Sequence, residues 1–112
     1  MLVVGGKILA EEVRIQLIAD WPDYVFAKDY PLKSLADVEA FIHTHHHLPE
    51  IPNAAEVEAA GVSLGHMQSK LLLKIEELTL YLIQQNKSIE KLTAKLARLE
   101  QDRASLSSAD RR

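Results

Sequence analysis

Residues 64–106 decide the fold of this chain, and they read LGHMQSKLLLKIEELTLYLIQQNKSIEKLTAKLARLEQDRASL. Leucine and isoleucine recur here at alternating spacings of four and three residues, which is the heptad pattern of a coiled coil. The thirteen positions of this pattern are called the seam, and they are Leu64, Gln68, Leu71, Ile75, Leu78, Leu82, Gln85, Ile89, Leu92, Leu96, Leu99, Arg103 and Leu106. Ten of the thirteen are leucine or isoleucine, so the sequence predicts one long helix over 63–106 with an apolar edge.

A single chain of this size is too short to cover the whole seam. A helix of roughly 40 residues that rises 1.5 Å per residue spans about 60 Å, and only residues 1–62 precede it. The spacing also follows the 3.5-residue period of a coiled coil rather than the 3.6-residue stripe of a helix packed inside a monomer. We therefore predict self-association through the seam. Leucine and isoleucine are mixed along it, which leaves dimer and trimer open.

The two halves of this helix differ outside the seam. The first half carries additional apolar residues, whereas beyond Asn86 the flanks are mainly Lys, Glu, Arg and Ser. The sequence predicts that Leu73, Leu80 and Ile83 pack against the preceding residues 1–62, which are called the head. The second half has apolar residues on the seam alone, so we expect it to contact only partner helices.

The head contains all four prolines and five of the six aromatic residues, as expected of a compact segment rich in turns. Val13, Ile15 and Leu17 alternate with polar residues, which predicts a short strand, and Ile8-Leu9 predicts a shorter one before it. The loop that follows holds Trp21, Tyr24 and Phe26. We expect these three aromatic side chains to pack against the long helix; exposure would instead favour a recognition surface.

Capping residues predict two short helices in the second part of the head. Ser34 with Asp37 forms a capping-box pattern at the start of a helix over 35–46. Asn53 and Gly61 bracket a second helix over 54–60. The predicted fold class is therefore α+β: a head of short strands and two short helices, followed by one long C-terminal coiled-coil helix and a disordered tail over 107–112.

The composition argues against several classes of function. There is no cysteine, which excludes disulfides, thiolate metal sites and cysteine nucleophiles. The formal net charge of −3 disfavours electrostatic binding of nucleic acid. No apolar run is long enough to insert into a membrane. We expect no enzyme activity and no cofactor, because no nucleophile, phosphate-binding or metal motif is complete.

Two clusters nevertheless contain residues capable of chemistry. His43, His45, His46 and His47 have spacings found among metal ligands, but a polar helix end whose imidazoles cap the last carbonyls explains them as well. Asp20, Asp23 and Asp29 allow a carboxylate pair or, more simply, turn caps. We predict no metal site and no acid–base site.

Three segments resemble a known family when taken together: GKILAEEV at 6–13, ADWPDYVF at 19–26 and HLPEIPNA at 47–54. They resemble the C-terminal domain of bacterial tail-fibre-like proteins. That domain is similar in layout to the intramolecular chaperone at the end of phage tail spikes and endosialidases. The resemblance implies a homotrimer, an upstream fibre shaft in the same chain that ends near Leu17, and a location on a cell-surface fibre or phage-like particle.

The resemblance does not extend to self-cleavage. The related chaperones often release themselves with a serine near the start of the domain, whereas the first serine here is Ser34, well inside the head. The expected function is a trimerisation and registration module at the end of a fibre. The alternatives are a receptor- or ligand-binding tip and, less in keeping with the residues, an autoprocessing peptidase.

Overall fold

The computed structural model describes residues 1–16 and 21–110, which contain three helices: α1 (Leu35–His45), α2 (Ala54–Ala60) and α3 (Leu64–Asp110). The 47 residues of α3 make the molecule a rod, with extents of 86 × 31 × 29 Å. Its radius of gyration is 23.6 Å, whereas a compact domain of this length has about 13 Å. Most of the long helix therefore projects beyond the head.

The two short helices begin at the capping residues that predict them. The Ser34 hydroxyl accepts a hydrogen bond of 3.1 Å from the Asp37 amide, and the Asn53 side chain accepts one of 2.8 Å from the Glu56 amide. Each bond satisfies an amide that has no partner within its helix. At the end of α2, Gly61 has φ +71° and ψ −173°, a positive-φ conformation that glycine adopts without strain. The predicted bounds of α1 and α2 agree with the structure to within one residue.

The predicted α+β class is wrong, because residues 1–16 and 21–110 contain helices and no strand. Val13 and Ile15 lie in an exposed, irregular segment, as do Ile8 and Leu9, and Leu17 lies outside the described residues. Alternation of apolar and polar residues produces a strand only where a neighbouring strand pairs with its backbone. Residues 1–16 are exposed throughout, so the alternation has no such neighbour.

Helix α3 continues past the end that the heptads predict. The seam pattern ends at Leu106, but the backbone remains helical to Asp110. Residues 107–110 of the expected disordered tail are thus helical, and residues 111–112 lie outside the described part of the chain. No Gly or Pro follows Gly65, so nothing in the sequence stops the helix at 106.

The core is small and lies between the loops of the head and one face of α3. Val25 is only 1% exposed, and it shares this core with Leu73 and Tyr81 of α3. Pro22 and Pro49 are also buried, whereas neither α1 nor α2 contains a buried residue. The loops of the head rather than its helices therefore provide the contacts that hold it to α3.

The head packs on the face of α3 opposite the seam and extends to one flank of the seam. Successive helix residues are about 100° apart, so Leu73, which is buried, lies about 200° from Leu71 of the seam. Tyr81, also buried, lies only about 60° from Leu78 of the seam. Docking of the head nevertheless leaves every leucine and isoleucine of the seam exposed.

Because its core includes residues of α3, the head should not fold without that helix. A fragment of residues 1–66 lacks Ser69, Leu73 and Tyr81, and we expect it to give a poorly dispersed amide NMR spectrum. A fragment of residues 1–85 retains all three and should keep the native head at high concentration, though with weaker self-association. A well-dispersed spectrum from residues 1–66 would contradict this coupling.

Candidate assembly interface

The seam is a predominantly apolar stripe that the single chain leaves in solvent. Its ten leucine and isoleucine side chains are between 48% (Leu71) and 69% (Leu106) exposed. From Leu64 to Leu106 the stripe is about 60 Å long at 1.5 Å per residue. Monomeric proteins rarely expose contiguous apolar patches of this extent, so the seam is the strongest candidate for a functional surface.

Three polar positions interrupt the stripe, and all are exposed in the single chain: Gln68 near its start, Gln85 at its middle and Arg103 near its end. A polar residue within a coiled-coil core lowers stability but favours the alignment in which the polar residues of the partners meet. These two glutamines are therefore positioned to define the register of a parallel assembly.

A group of polar side chains fastens the head beside the seam. The Tyr30 hydroxyl donates a hydrogen bond of 2.7 Å to Glu77, and the Tyr81 hydroxyl donates one of 2.7 Å to the carbonyl of Lys33. The Lys74 ammonium lies 3.0 Å from Glu77, and both side chains are largely buried. Tyr30, Lys74, Glu77 and Tyr81 are called the clamp. The two tyrosine hydrogen bonds of the clamp join pairs of residues that are 47 and 48 positions apart in the chain.

The clamp changes the acidity of its two phenols. Burial raises the pKa of Tyr30, and the hydrogen bond to the Glu77 carboxylate and its negative charge raise it further. Burial also raises the pKa of Tyr81, with smaller contributions from the charges of Glu77 and Asp37. Both phenols are thus held in their neutral, hydrogen-bond-donating form.

A cavity of about 330 Å³ lies between the clamp and α1. Leu35, Val38 and Leu48 of the head form its apolar wall, and Leu78 of the seam lines it from α3. Tyr30 and Lys74 add polar groups. The cavity therefore adjoins the candidate interface.

The residues predicted to pack between head and helix are found in different environments. Leu73 is buried and Leu80 is half-buried, but Ile83 is 46% exposed. In the single chain the three loop aromatics are also mainly in solvent, at 57% for Trp21, 51% for Tyr24 and 60% for Phe26.

No pattern in the sequence identifies Val25, Tyr30 and Glu77 as residues that join the head to α3. Val25 faces inward from a turn in which the Ala27 amide donates to the Tyr24 carbonyl at 3.2 Å. The only local indication in the sequence that Val25 is buried is its position between two aromatic residues, Tyr24 and Phe26. Nothing in the sequence links Tyr30 to Glu77, because their contact depends on how the loop crosses α3.

The histidines at the end of α1 form an aromatic cluster. The rings of His45 and Phe41 are stacked with centroids 4.1 Å apart, and His47 approaches Phe41 edge-on at 5.5 Å. Among the described residues, no three His, Cys, Asp or Glu side chains are placed to hold a metal ion. Asp23 and Asp29 are exposed, and Asp20 lies outside the described residues.

Comparison of the chain with protein-family models, curated proteins and solved structures found no match. None of the helices in residues 1–16 and 21–110 combines the length and the apolar character needed to cross a bilayer.

Removing the Tyr30 hydroxyl should loosen the head. In Tyr30→Phe the Glu77 carboxylate loses a donor, and hydrogen bonds to charged groups contribute about 1.5–3 kcal/mol when buried. Because Tyr30 is partly exposed, we expect the free energy of unfolding of the head to fall by about 1–2 kcal/mol. Tyr24→Phe is the matched control, since this neighbouring phenol is exposed. Chemical denaturation followed by near-UV circular dichroism measures both; equal losses in the two variants would contradict the role of the clamp.

The raised phenol pKa values also predict loss of stability in alkali. Below pH about 10, the ordinary tyrosine pKa, both phenols are protonated in the folded and unfolded states, so they add no pH dependence. Above it the unfolded chain binds fewer protons than the folded one, and the free energy of unfolding falls as pH rises. Denaturation between pH 8 and 11 should show this fall. The doubly substituted Tyr30→Phe/Tyr81→Phe protein should have a shallower slope; an identical slope would contradict the assignment.

Proposed function

We propose that this chain is a trimerisation and registration module of a fibre-like protein, with a structural rather than a catalytic role. The observation that carries the proposal is the stripe of ten leucine and isoleucine side chains that α3 leaves exposed. Fully burying one such side chain contributes about 1.5–3 kcal/mol. A stripe repeated over six heptads therefore provides a strong drive for helices to associate in parallel.

The preference for three chains and for a fibre comes from the resemblance to tail-fibre C-terminal domains. The heptads support self-association independently of that resemblance. The clamp fastens each head to its own helix between Lys74 and Tyr81, so alignment of the helices would also bring the heads to a common level. Chains aligned in this way would enter an upstream shaft in register.

A second candidate function is a recognition tip, and the exposure of Trp21, Tyr24 and Phe26 favours it. Trp21 is the only tryptophan, so its fluorescence reports on this loop alone. Emission that stays red-shifted and accessible to a soluble quencher in the assembled protein would support a ligand-binding surface. Blue-shifted, protected emission would show that assembly covers the loop and would favour a purely structural module.

The full chain should sediment as a trimer at micromolar concentration. Leu82→Asp places one carboxylate per chain in the same layer of the seam, and an unpaired buried charge costs several kcal/mol. We therefore expect this variant to sediment as a single chain. Gln84→Asp introduces the same side chain at an exposed position off the seam and should remain assembled.

Sedimentation equilibrium distinguishes the outcomes. A stable monomer of the unsubstituted chain would refute the module. A dimer would retain the coiled coil but remove the support that the resemblance lends to three chains. Dissociation of both aspartate variants would show that added charge rather than the seam controls assembly.

A further inference from the structure

Helix α1 has an apolar face that its own chain does not cover. Leu35, Val38 and Ile42 share this face, since they are spaced by three and four residues. No residue of α1 is buried, and Leu35 and Ile42 are exposed. Leu35 and Val38 also line the 330 Å³ cavity, whose opposite wall includes Leu78 of the seam. The uncovered face of α1, the cavity and the seam therefore form one connected apolar surface.

The heptad positions show which side of the helix this surface lies on. With Ile75 and Leu82 at position a and Leu78 at position d, Lys74 and Tyr81 occupy position g. The cavity is lined by both of these g residues. In a parallel coiled coil the g flank of one helix faces the e flank of the next. The cavity of one chain would therefore face the e flank of a neighbouring copy.

The e flank of the neighbouring copy, which would face the cavity, is bordered by an exposed apolar residue. Ile83, at position b, borders the e flank next to Thr79. Among the described side chains of α3, Ile83 is the only large exposed apolar residue that does not belong to the seam. It is therefore placed where the cavity of a neighbour could bury it.

Charged side chains lie on both sides of this contact. Glu76 and Glu90 lie one heptad before and after Ile83 on the same flank of α3. Lys33 and Glu50 line the cavity, and both are exposed. Attraction to Lys33 and repulsion from Glu50 would favour the orientation of the partner that places its carboxylates near Lys33.

We propose that the cavity between α1 and α3 is the docking site for the e–b flank of a second copy of this chain, with Ile83 entering the cavity. This inference rests on the proposed coiled-coil assembly and adds the contact that sets its register. Each head would hold its own helix through the clamp and the neighbouring helix through the cavity. A copy shifted by one heptad would present Glu76 or Glu90 to the apolar wall in place of Ile83.

The absence of cysteine allows a direct test by crosslinking. Leu35→Cys and Ile83→Cys chains carrying different affinity tags are co-expressed, and assemblies that contain both are isolated through the two tags. A short bis-maleimide should then produce a covalent two-chain species that neither variant forms alone. Ala97→Cys is the matched control, because it lies on the same flank two heptads, about 21 Å, further along α3; paired with Leu35→Cys it should not crosslink.

Gln85→Cys within the seam separates this inference from the proposed function. If Gln85→Cys chains crosslink but the Leu35/Ile83 pair does not, docking into the cavity is refuted and the coiled coil stands. If Gln85→Cys also fails and the chain sediments as a monomer, both are refuted. Crosslinking of Ala97→Cys as strong as that of Ile83→Cys would likewise overturn the specific contact.

Affinity provides a second measurement that does not depend on crosslinking. Ile83→Lys removes the apolar side chain that the cavity would bury, and we expect it to weaken assembly by about tenfold or more per contact. Ala97→Lys introduces the same charge on the same flank outside the docking region and should leave the dissociation constant unchanged. Equal dissociation constants for Ile83→Lys and the unsubstituted chain would refute the proposal.

Discussion

Helix α3 has apolar residues on two opposite faces, and the rest of the chain is large enough to cover only one of them. Residues around Leu73 and Tyr81 are covered by the head, whereas the seam stays in solvent from Leu64 to Leu106. The unfavourable free energy of exposing this stripe to water decreases when another helix packs along it. The elongated shape, the small core and the proposed assembly all follow from this imbalance.

The head is small for an independent domain, and it uses α3 as part of its core. A segment of about 60 residues buries a smaller fraction of its surface than a larger domain does, so it depends more on each contact. Here Val25 and two prolines provide the apolar contacts, and the clamp adds hydrogen bonds between residues far apart in the chain. The neutral phenols of Tyr30 and Tyr81 donate these hydrogen bonds, and burial raises the pKa of both. Loss of the phenol protons in strong alkali would therefore weaken the contact between the head and α3.

The same arrangement relates structure to the proposed function. The clamp joins the head to α3 beside the seam and leaves the leucine and isoleucine side chains of the seam exposed, so helix association and head folding do not compete for the same residues. The cavity beside Leu78 and the uncovered face of α1 then remain available to a neighbouring copy. An assembly built in this way would be aligned at two levels, by the two glutamines within the seam and by Ile83 at its edge.

Features that depend on neighbouring residues or on a repeated spacing could be predicted from the sequence. These are the long helix, its seam, and the starts of α1 and α2 at Ser34 and Asn53. Capping bonds form within three residues and heptads repeat every seven, so each is visible in a short stretch of sequence. The proposal of three chains rests instead on a resemblance that remains an expectation.

Three features depend on tertiary contacts: which loop residue faces inward, which polar groups meet, and whether the alternating segment forms a strand. Val25 is buried in the turn that begins at Tyr24, whereas its neighbours Tyr24 and Phe26 are exposed. The bond between Tyr30 and Glu77 depends on the path of a loop across α3, which no local pattern encodes. Alternation at Val13 and Ile15 predicted a strand, but a strand requires a second segment to complete its hydrogen bonds, and the described chain leaves residues 1–16 exposed.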